Sequence, residues 1–198
     1  MIARPDRSIY LASRSPRRQE LLAQIGVKFE VVDADVDESV TEGESPRAYV
    51  ERLARAKAEA GWRQVERTNR PHAPVLGADT TVAVDGRILG KPANNREAAA
   101  MLASLSGRLH EVLTAVALKV GPRLESAVSV SEVRFKELSA KEIARYVATG
   151  ECEDKAGAYG IQGQAARFVA ELRGSFSGVV GLPLYETAQL LEQIGAPA

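Results

Sequence analysis

Apolar residues along the chain follow two patterns, short runs that favour β-strands and spacings of three and four that favour helices. The short runs predict strands near residues 8–12, 29–32, 75–78, 111–120, 124–135 and 168–172. Helical spacing predicts helices that begin near residues 16, 46, 95, 140 and 184. Because strands and helices alternate through much of the chain, the pattern is typical of an α/β fold.

Serine residues mark the beginnings of three of these helices. Ser15 and Ser45 each precede a proline, which suits an N-cap followed by proline at the first helical position. Ser139 stands three residues before Glu142, which is the spacing of a capping box. We expect the helix after Ser45 to run towards residue 61 and the polar segment 63–74 to be a connection.

Two hairpins interrupt the alternation of strands and helices. Asp85-Gly86 suits a tight type I′ turn between the halves of segment 82–89, and Gly121-Pro122 separates two long strand candidates. Hairpins pair strands antiparallel, whereas strand–helix–strand units pair them in parallel. The sequence therefore predicts an α/β fold with a mixed sheet. Its 198 residues suit one domain, 1–198, with room for two lobes around one cleft.

Composition and charge exclude several classes of function. Lys and Arg total 26, as do Asp and Glu, so the formal net charge is zero, unlike that of a typical duplex nucleic-acid or anionic-membrane binder. The single cysteine, Cys152, forms no internal disulfide, and two histidines argue against a histidine-rich zinc site. No apolar run approaches the length of a membrane span. We expect a cytoplasmic protein without nucleic-acid or membrane partners.

Hydroxyl and guanidinium groups cluster where the first predicted strand turns into a helix, in the sequence Ser13-Arg14-Ser15-Pro16-Arg17-Arg18. Free N–H groups at a helix N-terminus attract anions, and arginine binds phosphate oxygens through charge-assisted hydrogen bonds. The segment therefore indicates a phosphate site. The alternative is a well-capped helix with solvated arginines.

Carboxylates offer a second kind of chemistry. Asp79 directly follows the apolar run 75–78, so we expect it at the carboxyl edge of the sheet, where α/β proteins bind ligands. There it could bind Mg²⁺ or position a water molecule, or it could only cap a turn. Asp37 and Glu38 lie in an acidic stretch with seven carboxylates over residues 30–44. Their oxygens suit a metal ion, and a solvated loop is the alternative.

Lysines and a glycine-rich loop complete the candidate site. Lys57 and Lys91 are phosphate counter-ions or solvated surface residues. Three glycines spaced by three occupy the loop 154–163, where Gln162 offers a donor and an acceptor to a nucleotide base. A flexible surface loop is the alternative reading. Together, cations for phosphates and carboxylates for a metal and a water suit metal-assisted hydrolysis of a phosphoanhydride.

Five sequence blocks occur in an order that resembles the Maf family of nucleoside triphosphate pyrophosphatases, over about residues 9–194. They are LASRSPRR at 11–18, LGADT at 76–80, GKP at 90–92, DKAGAYGIQG at 154–163 and GVVGLPL at 178–184. The resemblance implies an α/β fold related to that of inosine triphosphate pyrophosphatases. Such a fold has a long mixed β-sheet, flanking helices and a central nucleotide-binding cleft. It also implies a homodimer.

The resemblance further implies a reaction and a set of residue roles. Family members cleave nucleotides to the monophosphate and pyrophosphate with a divalent metal cation, Mg²⁺ or Mn²⁺. The catalytic carboxylate falls on Asp79, and the metal ligands fall on Glu38 and Asp79. The residues expected to bind phosphate are Ser13, Ser15, Arg18, Lys57 and Lys91.

Three positions resemble one branch of the family. The branch that acts on dTTP and UTP has arginine, threonine and glutamine at the positions of Arg17, Thr80 and Gln162, as this chain does. A sister branch that acts on 7-methyl-GTP has tryptophan, glutamine and glutamate there. We therefore expect dTTP and UTP as substrates, with roles in nucleotide-pool cleaning and cell division arrest. The alternative is a septum-formation inhibitor that acts mainly as an interaction protein.

Overall fold

A computed structural model describes residues 8–194 of the chain. Its seven strands are β1 (Ile9–Ala12), β2 (Phe29–Val31), β3 (Val75–Val84), β4 (Arg87–Leu89), β5 (Leu109–Val120), β6 (Arg123–Phe135) and β7 (Val169–Arg173). Its helices are α1 (Pro16–Gln24), α2 (Pro46–Arg67), α3 (Asn95–Leu105), α4 (Ala140–Val147), α5 (Phe176–Val180) and α6 (Leu184–Gln193), with 3₁₀ turns at Ala156–Ala158 and Gln164–Phe168.

The strands form one mixed sheet in the order β2-β1-β3-β5-β6-β7, with β4 also paired to β3. β1 runs parallel to β2 and β3, because α1 and α2 provide the crossovers that parallel pairing needs. The remaining pairs are antiparallel and include both predicted hairpins. The predicted α/β fold with a long mixed sheet and flanking helices is confirmed.

A gap in the sheet determines where the site lies. β5 pairs with one edge of β3 over residues 75–83, while β1 and β4 share the other edge, at 75–77 and 82–84. Residues 78–81 therefore face no other described strand on that second edge. The prediction that Asp79 lies at the end of its own strand is wrong, because β3 continues to Val84. The carboxyl end beside Asp79 belongs to β1, whose Ala12 pairs with Gly77.

Helix α2 packs closely on β3 because Gly77 has no side chain. A Cβ atom at Gly77 would lie 2.5 Å from the backbone nitrogen of Ala58. The helix is also longer than predicted, since it continues through the first residues of the expected connection to Arg67. Val65 explains the extension, because it is fully buried in a cluster with Tyr10 and Val75.

Two of the three predicted serine caps are present. Ser45 accepts a hydrogen bond from the Ala48 N–H, and Ser139 forms a capping box with Glu142. The hydroxyl of Ser15 forms no such bond, although α1 begins at Pro16 as predicted. Helix α5 was not predicted, since five residues are too few to show a helical period.

The main hydrophobic cluster packs helices α1, α3, α4 and α6 on the sheet. Tyr146, Phe135 and Phe168 are its largest fully buried side chains. Among residues 8–194, no helix is both long and apolar enough to cross a membrane.

Candidate functional site

A cleft of about 1080 Å³ opens at the gap in the sheet. Its walls are the turn between β1 and α1, the acidic loop, one face of α2, the middle of β3, the residues after β4, the glycine-rich loop 154–163 and the end of α5. Every predicted site residue lines it: Ser13, Ser15, Arg17, Arg18, Glu38, Lys57, Asp79, Thr80, Lys91 and Gln162. The structure brings these residues together, and their individual roles stay predictions.

Lys57 connects the two predicted metal-ligating carboxylates. Its Nζ lies 2.7 Å from Asp79 Oδ1 and 2.6 Å from Glu38 Oε1. Lys91 Nζ approaches the other oxygen of Glu38 at 3.4 Å. Lys57 and Asp79 are only 9% and 7% exposed, so the ammonium and the carboxylate are largely removed from water and depend on each other. The contact between α2 and Gly77 places Lys57 within reach of β3.

Glu38 belongs to the acidic loop, and three side chains hold it at the cleft although its own side chain is 41% exposed. Burial raises the pKa of its carboxyl group, but the hydrogen bonds and charges of Lys57 and Lys91 outweigh burial and leave the pKa below its ordinary value. The Tyr49 hydroxyl donates to the Glu38 carbonyl oxygen at 2.9 Å. Burial, with the charges of Asp79 and Glu38, raises the pKa of Tyr49 to about 12, so the hydroxyl keeps its proton.

Arg18 lies on the other side of β3, where three parts of the chain hold its guanidinium group. Nε donates to the Gly181 carbonyl at 2.8 Å, and the two terminal nitrogens donate to Ser13 Oγ at 3.2 Å and Thr80 Oγ1 at 3.1 Å. Burial lowers the pKa of Arg18, and the Asp79 carboxylate opposes that shift. A guanidinium has five N–H donors, so two remain to bind an anion.

Thr80 orients Arg18 through a buried chain of hydroxyl groups. Its Oγ1 lies 3.0 Å from Thr114 Oγ1, which lies 2.7 Å from the Gly178 carbonyl oxygen. A carbonyl only accepts, so Thr114 gives its single proton to Gly178, and Thr80 in turn donates to Thr114. Thr114 is not among the predicted site residues, because its pairing with Thr80 arises from the register of β3 with β5.

Successive strand residues point to opposite faces of a sheet, so Asp79 and Thr80 contact different groups. Asp79 contacts Lys57 of α2, whereas Thr80 contacts Arg18 of α1. The cleft reaches both side chains because the edge of β3 is open at these residues. The Asp79 carboxylate, a predicted metal ligand, and the Arg18 guanidinium group therefore line the same cavity.

The remaining predicted residues lie on the two sides of the cleft. Ser13 Oγ accepts from Arg18 and from the Ser15 N–H at 3.3 Å, which leaves its own proton for a further acceptor. Gln162 is exposed on the glycine-rich wall. Arg17 and Lys155 line the same cleft, and burial and then the positive charge of Arg17 lower the pKa of Lys155.

The carboxylates fit a metal ion that the substrate helps to bind. Within residues 8–194 there is no group of three or more His, Cys, Asp or Glu residues suited to hold a metal. Mg²⁺, however, is commonly bound through one or two carboxylates together with substrate phosphates. Asp79 and Glu38 supply two carboxylates that contact the same ammonium group.

Comparison with known proteins decides the family. The family model described as Maf-like protein matches residues 8–194. The chain belongs to the Maf family. It is 60% identical over 198 residues to the dTTP/UTP pyrophosphatase of Aromatoleum aromaticum, with 96% of each chain covered. It is 54% identical over 190 residues to the dTTP/UTP pyrophosphatase of Chromobacterium violaceum, again with 96% of each covered.

A third Maf relative and one solved structure complete the comparison. The dTTP/UTP pyrophosphatase of Nitrosospira multiformis is 55% identical over 193 residues, with 93% of each chain covered. The Ham1 protein structure of Staphylococcus aureus gives a TM-score of 0.46 at 15% identity, covering 65% of this chain and 71% of that one. The family expected from the sequence blocks is confirmed, while the divalent metal and the homodimer stay predictions.

Proposed function

We propose that this Maf-family chain hydrolyses dTTP and UTP to the nucleoside monophosphate and pyrophosphate. Relatives that are 54–60% identical carry the name dTTP/UTP pyrophosphatase. One observation carries the proposal: the carboxylates of Asp79 and Glu38 both contact the ammonium group of Lys57. Arg18 and Gln162 line the same cleft. This arrangement combines carboxylates for water activation with cations for phosphate.

In the proposed reaction Asp79 is the general base. Lys57 fixes Asp79 through Oδ1, so Oδ2 can take a proton from a water molecule that attacks the α-phosphorus. A new bond forms between the water oxygen and the α-phosphorus, and the bond to the oxygen that bridges the α- and β-phosphorus breaks. Pyrophosphate leaves with that oxygen, and the proton stays on Asp79 until it passes to solvent.

Cations and hydroxyl groups of the cleft bind the phosphates in this proposal. Lys57 and Lys91 now share Glu38 as their counter-ion, and phosphate oxygens would replace that carboxylate on the lysines. The two remaining donors of Arg18 and the proton of Ser13 add directed hydrogen bonds. Glu38 and Asp79 would hold the divalent cation, which supplies positive charge to the phosphate oxygens when bound.

Gln162 is proposed to read the base. Thymine and uracil present an acceptor at O4 and a donor at N3–H, and a glutamine amide matches both together. Arg17 lines the same cleft, and Thr80 contributes through the orientation it gives to Arg18. A glutamate at position 162 would accept only and would suit the donors of a guanine edge.

A panel of nucleoside triphosphates, incubated with Mg²⁺ or Mn²⁺ and separated by chromatography, tests the proposal. We expect dTTP and UTP to give monophosphate and pyrophosphate fastest, and EDTA to stop turnover. Absence of pyrophosphate from every nucleotide would overturn the proposal and favour the alternative, a division-inhibiting interaction protein. Full turnover in EDTA would refute the metal role given to Glu38 and Asp79.

A further inference from the structure

Gln162 lies on a turn between Gly160 and Gly163. In the proposed function, its side chain recognises the nucleotide base. Its side chain is exposed, so its position depends on how the two ends of the turn are held. Tyr146 and Glu151, neither of them among the predicted site residues, hold those ends.

Tyr146 holds the first end from the hydrophobic core. It is fully buried on α4, and its ring packs edge-on against Phe168 with centroids 5.3 Å apart. Its hydroxyl oxygen accepts from the Gly160 N–H at 3.3 Å, and its proton is donated to Glu151 Oε1 at 3.0 Å. Burial raises the pKa of Tyr146, so the hydroxyl stays protonated and able to donate.

Glu151 holds the second end. Its Oε2 accepts from the Gln164 N–H at 2.9 Å. The carboxylate also lies directly against Gly163, where a Cβ atom would stand 2.6 Å from Oε2. One carboxylate therefore joins the buried Tyr146 hydroxyl to the backbone on the far side of Gln162.

Lys155 also contacts this turn. Its ammonium donates to the Glu151 carbonyl at 2.5 Å and to the Glu153 carbonyl at 3.4 Å. Its stem passes so close to Gly160 that a Cβ atom there would lie 2.9 Å from Lys155 Cε. The glycines at 160 and 163 thus make room for the two side chains that hold the turn.

We propose that Glu151, acting with Tyr146, is a positioning residue that fixes Gln162 and so sets the preference for pyrimidine triphosphates. The inference rests on the proposed function. The Gln162 amide can distinguish one base from another only when its donor and acceptor are held in place. A misplacement of about 1 Å would lose the hydrogen bonds to the base.

The test compares kcat/KM for dTTP with kcat/KM for dGTP in the wild type, Glu151→Gln and the control Glu137→Gln. An amide at 151 replaces one accepting oxygen by a donor, so either Tyr146 or Gln164 loses its acceptor. We expect Glu151→Gln to lower the dTTP to dGTP ratio roughly tenfold, as for the loss of one hydrogen bond. Glu137 is exposed and lies outside the lining of the cleft, so Glu137→Gln should leave the ratio unchanged.

A double-mutant cycle separates positioning from general damage. If Glu151 acts through Gln162, Glu151→Gln should change the ratio by less than about twofold in a Gln162→Ala background. A full tenfold loss in that background would overturn the inference, because Gln162 would then not carry the effect.

The outcomes also separate this inference from the proposed function. If the wild type releases no pyrophosphate from dTTP, the proposed function fails. If the wild type prefers dTTP and Glu151→Gln keeps the wild-type ratio, only the role of Glu151 fails. Should thermal unfolding show that Glu151→Gln does not fold, Tyr146→Phe breaks the same link while keeping the ring, and an unchanged ratio in that variant overturns the inference.

Discussion

Lys57 is the residue on which the arrangement of the proposed site most depends. It is the common partner of Asp79 and Glu38, and it lines the cleft beside the open edge of β3. Because its ammonium contacts both carboxylates, Lys57 sets their arrangement before substrate binds. Changes to those carboxylates are therefore the sharpest tests at single positions.

Asp79→Asn should keep the fold and lose about 10²–10⁴-fold in kcat for dTTP, because an amide cannot accept a proton from water. The variant should still fold, because Lys57 keeps Glu38 as a counter-ion and the amide oxygen can accept from Lys57, although loss of one buried charge should lower the thermal unfolding midpoint. Asp85→Asn, in the exposed turn after β3, is the matched control and should keep full activity. Asp79→Asn activity within a few-fold of the wild type would refute the assignment.

Gln162→Glu should lower kcat/KM for dTTP and UTP by roughly tenfold, since the carboxylate cannot donate to O4 of the base. With Arg17→Trp and Thr80→Gln added, turnover of 7-methyl-GTP should rise. The triple variant also loses a hydrogen bond, because Thr80 Oγ1 accepts from Arg18 in the wild type. Steady-state kinetics on the three nucleotides measure this, and an unchanged preference in a folded, active triple variant would show that these residues do not set specificity.

The close contact between α2 and β3 determines the position of Lys57 in the site. In Gly77→Ala the new Cβ would meet the backbone of Ala58, so α2 must shift and carry Lys57 away from Asp79. We expect a loss of about 1–3 kcal/mol in the free energy of unfolding, as for other overpacked interiors, together with a lower kcat. Urea denaturation and dTTP kinetics measure the two effects.

The matched control for this packing change is Gly90→Ala, judged by stability alone. A Cβ at Gly90 would meet no atom within 4 Å, so the free energy of unfolding should hardly change. Equal stability of Gly77→Ala and the wild type would contradict the account of how α2 is placed.

Local patterns predicted the elements well where the signal lies within one segment. The capping box at Ser139 and the Asp85-Gly86 turn, with both residues at positive φ, follow from neighbouring residues alone. The gap in the sheet cannot be predicted from neighbouring residues, because it depends on how far β1 and β4 pair along β3. Most cleft residues lie in the family blocks, and the resemblance also implied Glu38 and Lys57 from outside them. Thr114 and Glu151 could not be named, because strand register and the folded turn bring them to the site.

His110 gives the whole molecule a measurable dependence on pH. It is 2% exposed, its Nε2 lies 2.8 Å from the Tyr159 hydroxyl, and burial lowers its pKa from 6.5 to about 4. The folded state thus keeps the ring neutral where the unfolded chain binds a proton. Stability should fall as the pH drops from 6.5 towards 4, by roughly 3 kcal/mol in total.

His110→Gln removes this titration and keeps a polar partner for Tyr159. Urea midpoints at pH 7 and pH 4.5 should therefore differ less in the variant than in the wild type, while carboxylates that titrate in both proteins cancel. Identical pH dependence in the two proteins would show that His110 is not held neutral.

In the proposed reaction, the whole cleft directs a water molecule to the α-phosphorus of a pyrimidine triphosphate. Hydrolysis of dTTP in heavy-oxygen water with Mg²⁺, followed by mass spectrometry of the products, shows which phosphorus is attacked. Attack at the α-phosphorus places the heavy oxygen in thymidine monophosphate and leaves the pyrophosphate unlabelled. Label in the pyrophosphate, or thymidine diphosphate with orthophosphate as the first products, would contradict the account.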